Sequence, residues 1–226
     1  MRKAITYLKN VDKHLSKVID RIGNLDTSTY NNDTDSFCFL VREIVGQMIS
    51  SNVKKVIWGR LIDICNNQIT PQNIDSLSTE QLRSIGLSTS KSNYIKGLAS
   101  LVKKGDFNFN NLKYLSDAEI MKQLTSIRGI GNWTAKMYLI FFLQREDVLP
   151  YEDGAFLQAY KWLYNTNNTK PISIKRRCKK WKPYSSIGAR YMYRALDTGL
   201  TSIPVKTFLA NSKYEDDEER PLAAVP

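Results

Sequence analysis

In the stretch FCFLVREIVGQMISSNVKKVIWGRLIDIC, apolar residues recur three and four positions apart from Phe37 to Ile64, the spacing of one helical face. The period fails at GQMISSN, which predicts two helices and a break. In SLSTEQLRSIG, Ser78 stands as an N-cap with Gln81 three positions on, a capping-box arrangement, and Gly86 is the stop. LSDAEIMKQLTSI repeats the device with Ser116 and Glu119. NWTAKMYLIFFL is apolar almost all round and predicts a buried helix. DGAFLQAYKWLY begins on Asp153, a candidate N-cap, and SSIGARYMYRAL predicts one more basic and aromatic helix. Strand-like alternation is scarce, and glycines and prolines fall between the helical runs. The expectation is an all-α protein of about nine to eleven short helices, without internal repeats.

Composition narrows the function. The 226 residues carry 33 Lys+Arg against 22 Asp+Glu, a net charge of +11. A basic excess of that size favours a polyanionic partner, nucleic acid before membrane. Cys38, Cys65 and Cys178 lie far apart, so they offer neither a zinc nor an iron–sulfur spacing. An odd, sparse set also fits a reducing compartment. The single histidine, His14, sits in a polar amphipathic stretch and reads as a surface residue. The first residues lack the apolar core of a signal peptide, and the run MYLIFFL at 137–143 is too short to span a bilayer. The chain is therefore expected to be soluble and intracellular, with a bacterial cytoplasm preferred to a nucleus. Its end, 211–226, is acidic and reads as a solvated or disordered tail.

The break in SIRGIGNWTAK, residues 126–136, carries the most chemistry. Gly129 and Gly131 join two helices across a tight turn. Glycine lets the backbone take positive φ and leaves no side chain between the amides and a ligand. The first turn of the next helix presents N–H groups at the positive end of its dipole, a ready phosphate site to which Lys136 adds charge. Helix, IRGIG, helix is the helix-hairpin-helix element, which grips DNA phosphate by backbone. Asp153 follows Gly131 by twenty-two residues. Read from the residues alone, it is either a helix cap or a carboxylate facing a deoxyribose anomeric carbon.

The run LTSIRGIGNWTAKMYLIFFLQREDVLPYEDGAFLQAYKWLY resembles the helix-hairpin-helix-Gly/Pro-Asp (HhH-GPD) superfamily of DNA glycosylases, and within it the alkylbase, 3-methyladenine II branch. The likeness extends through LVREIVGQMISSNVKKVIWGRL, LRSIGLSTSKSNYIKGLA and WKPYSSIGARYMY, roughly Phe37 to Arg194. It implies a two-lobed helical body with DNA in the cleft between lobes: an N-terminal helical extension at 1–36, and a glycosylase body at 37–210. The middle lobe would span about 45–145 and the second lobe would come from the terminal segments. The N-terminal β domain of larger branch members is not expected.

The resemblance also implies roles. Asp153, rather than Glu152, would stabilise positive charge on the sugar as the N-glycosidic bond breaks. Trp133 stands where bifunctional glycosylase/lyases place a Schiff-base lysine, so a monofunctional enzyme is implied. Trp133 also suits an electron-rich wall for a cationic base, where a core tryptophan is the plain alternative. Tyr184 would form another wall. Met137, Gly154 and Ser185 depart from the branch pattern, so the base pocket, with Met137 in it, is tuned differently. GQMISSN would present the wedge that fills the gap left by a flipped nucleotide, Met48 first and Gln47 second; both also read as ordinary helix residues.

Residues 170–194 hold nine Lys/Arg and no acid, interleaved with aromatics. Lys175, Arg176, Arg177, Lys179 and Lys180 are the expected nonspecific phosphate contacts. No cofactor is expected beyond a monovalent cation held by hairpin carbonyls in the region of Ile127 and Ile130. The expected partner is double-stranded damaged DNA, engaged by a monomer. Two other readings stay open: the same fold acting on deaminated or oxidised bases, and a noncatalytic DNA-binding module.

Overall fold

Polar residues that end one helix and begin the next set the architecture. The computed structural model describes residues 1–25 and 35–211, the last by its backbone alone, so the expected acidic tail lies almost wholly outside the described residues. The described residues form thirteen α-helices and no strand. That exceeds the nine to eleven expected. The surplus is short elements, such as α5 (Pro71–Ser76) and α6 (Thr79–Ser84), which complete too few turns to show a period. Predicted caps are in place. Ser78 and Ser116 each form a full capping box, with Gln81 and Glu119. Asp153 caps α10 (Gly154–Leu163).

The chain divides into two compact units, Met1–Asp26 with Glu146–Pro226, and Thr27–Arg145. The first unit is built from α1 (Arg2–Val11), α2 (Lys13–Ile22), α10, α11 (Pro171–Cys178), α12 (Ser185–Asp197) and α13 (Val205–Asn211). Expected as an extension, the N-terminal helices belong to this unit's core: Leu8, Leu15 and Val18 pack with Phe156, Trp181, Tyr191 and Met192. At the α1–α2 joint, Asp12 is fully buried. Its carboxylate caps α2 by accepting the amides of His14 and Leu15. It also accepts the Tyr164 hydroxyl at 2.5 Å and Trp181 Nε1 at 2.9 Å, and pairs with Lys180 Nζ at 3.1 Å.

The second unit holds α3 (Ser36–Gly46), α4 (Ser51–Ile64), α5, α6, α7 (Thr89–Lys104), α8 (Asp117–Thr125) and α9 (Asn132–Met137). The helix α7 packs against α3, α5 and α6, and α8 against α9. The expected long apolar helix is α9 followed by a π-helical turn, Tyr138–Phe142. Tyr138 is buried there, stacked on Phe142 and bonded through its hydroxyl to Ser36 Oγ at 2.8 Å. No helix among the described residues is long and apolar enough to cross a membrane.

Candidate nucleic-acid interface and active-site residues

The hairpin between α8 and α9 uses its two glycines differently. Gly129 has φ +93°, and a Cβ there would lie 2.3 Å from Cγ of Tyr94. Both backbone and space therefore demand glycine. Gly131 has φ −93° with ψ −179°, extended backbone open to any residue, and a Cβ there would meet nothing within 4 Å. Gly131 is nevertheless the exposed N-cap of α9, and no side chain caps that helix. The missing side chain thus serves no internal contact; it leaves the helix start open to a group from outside.

Substitution at the two positions should accordingly diverge. Gly129→Ala should lower stability, with left-handed backbone costing roughly 1–2 kcal/mol and overpacking against Tyr94 about 1–3 kcal/mol more. Gly131→Ala combines a weaker N-cap with a stiffer unfolded chain, effects of opposite sign and about 1 kcal/mol or less each. Its melting temperature should hardly move, while affinity for duplex DNA should fall roughly tenfold or more if one charge-assisted bond to phosphate is lost. Thermal denaturation and a DNA titration on both variants check this, and unchanged affinity in Gly131→Ala would remove the hairpin from the interface.

Along α9, Trp133 and Met137 are four residues apart and so share one helix face. Trp133 is half-buried and Met137 is buried. Lys136, expected at a phosphate, is only 9% exposed.

Between α3 and α4, Met48 is fully exposed and takes φ +57°. Such a backbone costs an unbranched residue roughly 1–3 kcal/mol and persists where the surroundings impose it. Gln47 behaves unlike a wedge: its Nε2 donates to the Gly129 carbonyl at 2.9 Å and to Thr134 Oγ1 at 3.0 Å. Its amide is engaged in tying this loop to the hairpin. The carbonyl of Ile127 accepts the Ile130 amide at 3.0 Å, and among the described residues no group of three or more His, Cys, Asp or Glu side chains could hold a metal.

In the first unit, Asp153 is 7% exposed and its Oδ1 accepts the Phe156 amide at 2.7 Å. The cap fixes the carboxylate's direction at the positive end of α10. Glu152, the neighbouring acid, is exposed. The segment leading to Asp153 is tied to the start of α12: the Ser185 hydroxyl donates to Asp147 Oδ1 at 2.5 Å, and the Ser186 amide to the Glu146 carbonyl at 2.9 Å. Tyr184 is the half-buried N-cap of α12, its ring set edge-on to Tyr7 with centroids 5.4 Å apart.

Some cations of the basic stretch also brace the fold. Lys175 Nζ lies 4.1 Å from the Tyr151 ring centroid, and the Arg177 guanidinium 4.6 Å from that of Tyr164. Lys180 pairs with Asp12. All five cations expected at phosphate, Lys175, Arg176, Arg177, Lys179 and Lys180, are exposed. Sequence reading missed Asp12 and Lys91. Asp12 shows in sequence only as a helix cap, because Tyr164 and Trp181 are 152 and 169 residues away.

An open glycine hairpin before a buried helix, followed by a capping aspartate, is the arrangement of a helix-hairpin-helix protein with a Gly/Pro-Asp segment. Residues 41–183 match the HhH-GPD superfamily of base excision DNA repair proteins, and the chain belongs to that family. It is 27% identical over 211 residues to DNA-3-methyladenine glycosylase 1 of Schizosaccharomyces pombe, covering 91% of this chain and 92% of that one. Its fold is similar to that of the Schizosaccharomyces pombe 3-methyladenine DNA glycosylase in complex with abasic DNA, with TM-score 0.79, 26% identity and coverage of 85% and 96%. It is also similar to a DNA-3-methyladenine glycosidase from Bacillus halodurans, with TM-score 0.74, 29% identity and coverage of 91% and 94%.

Proposed function

We propose that this protein is a monofunctional DNA glycosylase of base excision repair that hydrolyses the N-glycosidic bond of flipped-out alkylated purines such as 3-methyladenine. The observation that carries the reading is Asp153: a buried carboxylate, held in one orientation by a helix cap, in a chain of this family. Support for the substrate class comes from relatives that bear the name 3-methyladenine glycosylase and match nearly end to end.

The chemistry asks little of the base. A purine alkylated at a ring nitrogen is cationic, so the electron pair of the breaking C1′–N bond leaves a neutral base and needs no added proton. Positive charge then develops on the sugar, and a fixed carboxylate stabilises it without reorganising. Water supplies the new C1′–O bond and gives up a proton. Trp133 offers a ring face to the cationic base. It has no amine, so it forms no Schiff base and the strand stays intact.

On the DNA side, the amides beside Gly131 grip phosphate, and Lys175, Arg176, Arg177, Lys179 and Lys180 add nonspecific attraction that weakens with salt. Met48 is the wedge, since Gln47 is engaged by the hairpin. The bound form is a monomer on double-stranded DNA, and no step depends on a metal or a cation at Ile127 and Ile130.

Purified protein incubated with duplexes bearing 3-methyladenine, 7-methylguanine, hypoxanthine or 8-oxoguanine, with free base detected by chromatography, tests the reading. Release of the methylated purines with an uncut strand is expected. Release confined to hypoxanthine or 8-oxoguanine would move the substrate class, and binding without release would leave only a DNA-binding module. In the same assay Trp133→Ala should slow release of cationic purines by roughly 10-fold, the loss of a desolvated cation–π contact of about 1–2 kcal/mol.

A further inference from the structure

Lys91 lies in the first turn of α7, where sequence reading gave it no role. Its Nζ donates to the Val45 carbonyl at 2.8 Å and to the Gln47 carbonyl at 2.7 Å. The first is among the last carbonyls of α3, where a cation meets the negative end of the helix dipole. The second belongs to the peptide that joins Gln47 to Met48. The φ of Met48 is measured from the plane of that peptide. A group that holds this carbonyl therefore holds the direction in which Met48 leaves the backbone.

The same small region is closed from the other side. Gln47 reaches the Gly129 carbonyl and Thr134 through its amide. Three residues along α7 from Lys91, Tyr94 sits against Gly129 so tightly that no Cβ would fit. One face of α7 thus touches the Met48 loop through Lys91 and the hairpin through Tyr94, while Gln47 connects loop and hairpin directly. A second lysine braces the end of α3, because Lys54 crosses Gly46 to pair with the buried Glu43 at 2.9 Å.

We propose that Lys91 is a positioning residue for duplex opening: by holding the Gln47–Met48 peptide on α7 it fixes the Met48 side chain relative to the phosphate-gripping hairpin, so that the wedge enters the base stack while the strand is clamped. The inference rests on the glycosylase reading above. A side chain that only capped α3 would be needed equally for every substrate. A positioning residue for the wedge is needed most where a base must be torn from its pair, because unstacking and unpairing cost least for an unpaired base.

The test compares two duplexes with a single 7-methylguanine, one opposite cytosine and one opposite an abasic-site analogue, under single-turnover conditions. Lys91→Met should slow release from the paired lesion roughly 10-fold to 10²-fold, the scale of a misplaced group, and should slow the unpaired lesion far less. Lys91→Arg, which keeps donors for both carbonyls, should restore most of the paired rate. In a Met48→Ala background, adding Lys91→Met should change the paired-to-unpaired ratio little, since residues acting through one another are not additive. If Lys91→Met does not fold, judged by its melting curve, Lys91→Gln is read by the same ratio.

Equal slowing on both duplexes, or additive losses in the double variant, would overturn the role of Lys91 while leaving the enzyme's identity intact. A wild type silent on the whole lesion panel would overturn the glycosylase reading instead, and the wedge role with it.

Discussion

Asp153→Asn should yield a protein that folds and binds DNA but releases alkylated base at least about 10²–10³-fold more slowly. Asparagine is an equal N-cap to aspartate, so the bond to the Phe156 amide survives and α10 keeps its start. Loss of a negative charge at a helix N-terminus costs only about 0.3–1 kcal/mol. On the proposed mechanism, what disappears is the full negative charge that would meet the positive charge developing on the sugar. An amide dipole in the same place stabilises that charge far less. Stability and activity therefore separate in one substitution. Single-turnover base release, a DNA titration and a melting curve on the same sample check it, and wild-type turnover in this variant would end the catalytic assignment.

Asp12→Ala should be strongly destabilising, at about 3–5 kcal/mol, from two donors left without an acceptor at about 1–3 kcal/mol each and a lost helix cap of about 1 kcal/mol. The variant strands the Tyr164 hydroxyl and the Trp181 indole N–H without their acceptor, leaves Lys180 without its carboxylate and uncaps α2. For a chain of this size each kcal/mol moves the melting temperature by roughly 2–4 °C, so a fall on the order of 10 °C is expected. A drop of only a degree or two would mean that the N-terminal helices are not clamped through this residue.

The same carboxylate makes stability depend on acid. Burial alone would raise its pKa, but the bonds from Tyr164, Trp181, the Leu15 amide and Lys180 outweigh burial and hold it below the ordinary aspartate value. The unfolded chain, titrating near ~3.9, then takes up this proton more readily than the folded one. The contribution of Asp12 is complete above that value and is lost as pH falls through the lower folded value. The stability gap between wild type and Asp12→Ala, measured by denaturant titration at a series of pH values, should be constant near neutrality and shrink below about pH 4.

Much of this molecule was legible in order along the chain. The break at GQMISSN, both capping boxes, the glycine hairpin and the cap at Asp153 are local devices. Each depends on residues within a few positions of one another, so periodicity and capping chemistry reveal it. The HhH-GPD likeness was legible for the same reason, as an ordered series of such devices. The extra short helices were not, since six residues carry little period.

Tertiary structure decided the rest. Sequence made Gly129 and Gly131 look alike, and only the nearness of Tyr94 separates a glycine required by packing from one that leaves a helix start open. Sequence placed Lys136 beside the hairpin, and only the fold shows that most of this residue is buried. It ranked Gln47 as a second wedge, whereas the fold turns that amide onto Gly129 and Thr134, 82 and 87 residues away. Sequence thus determined the elements, their ends and the family, because short-range hydrogen bonds and hydrophobic period are written in neighbouring residues. Which polar side chains brace the fold and which stand open was set by partners far apart in the chain, because burial and long-range hydrogen bonds exist only once the helices have met.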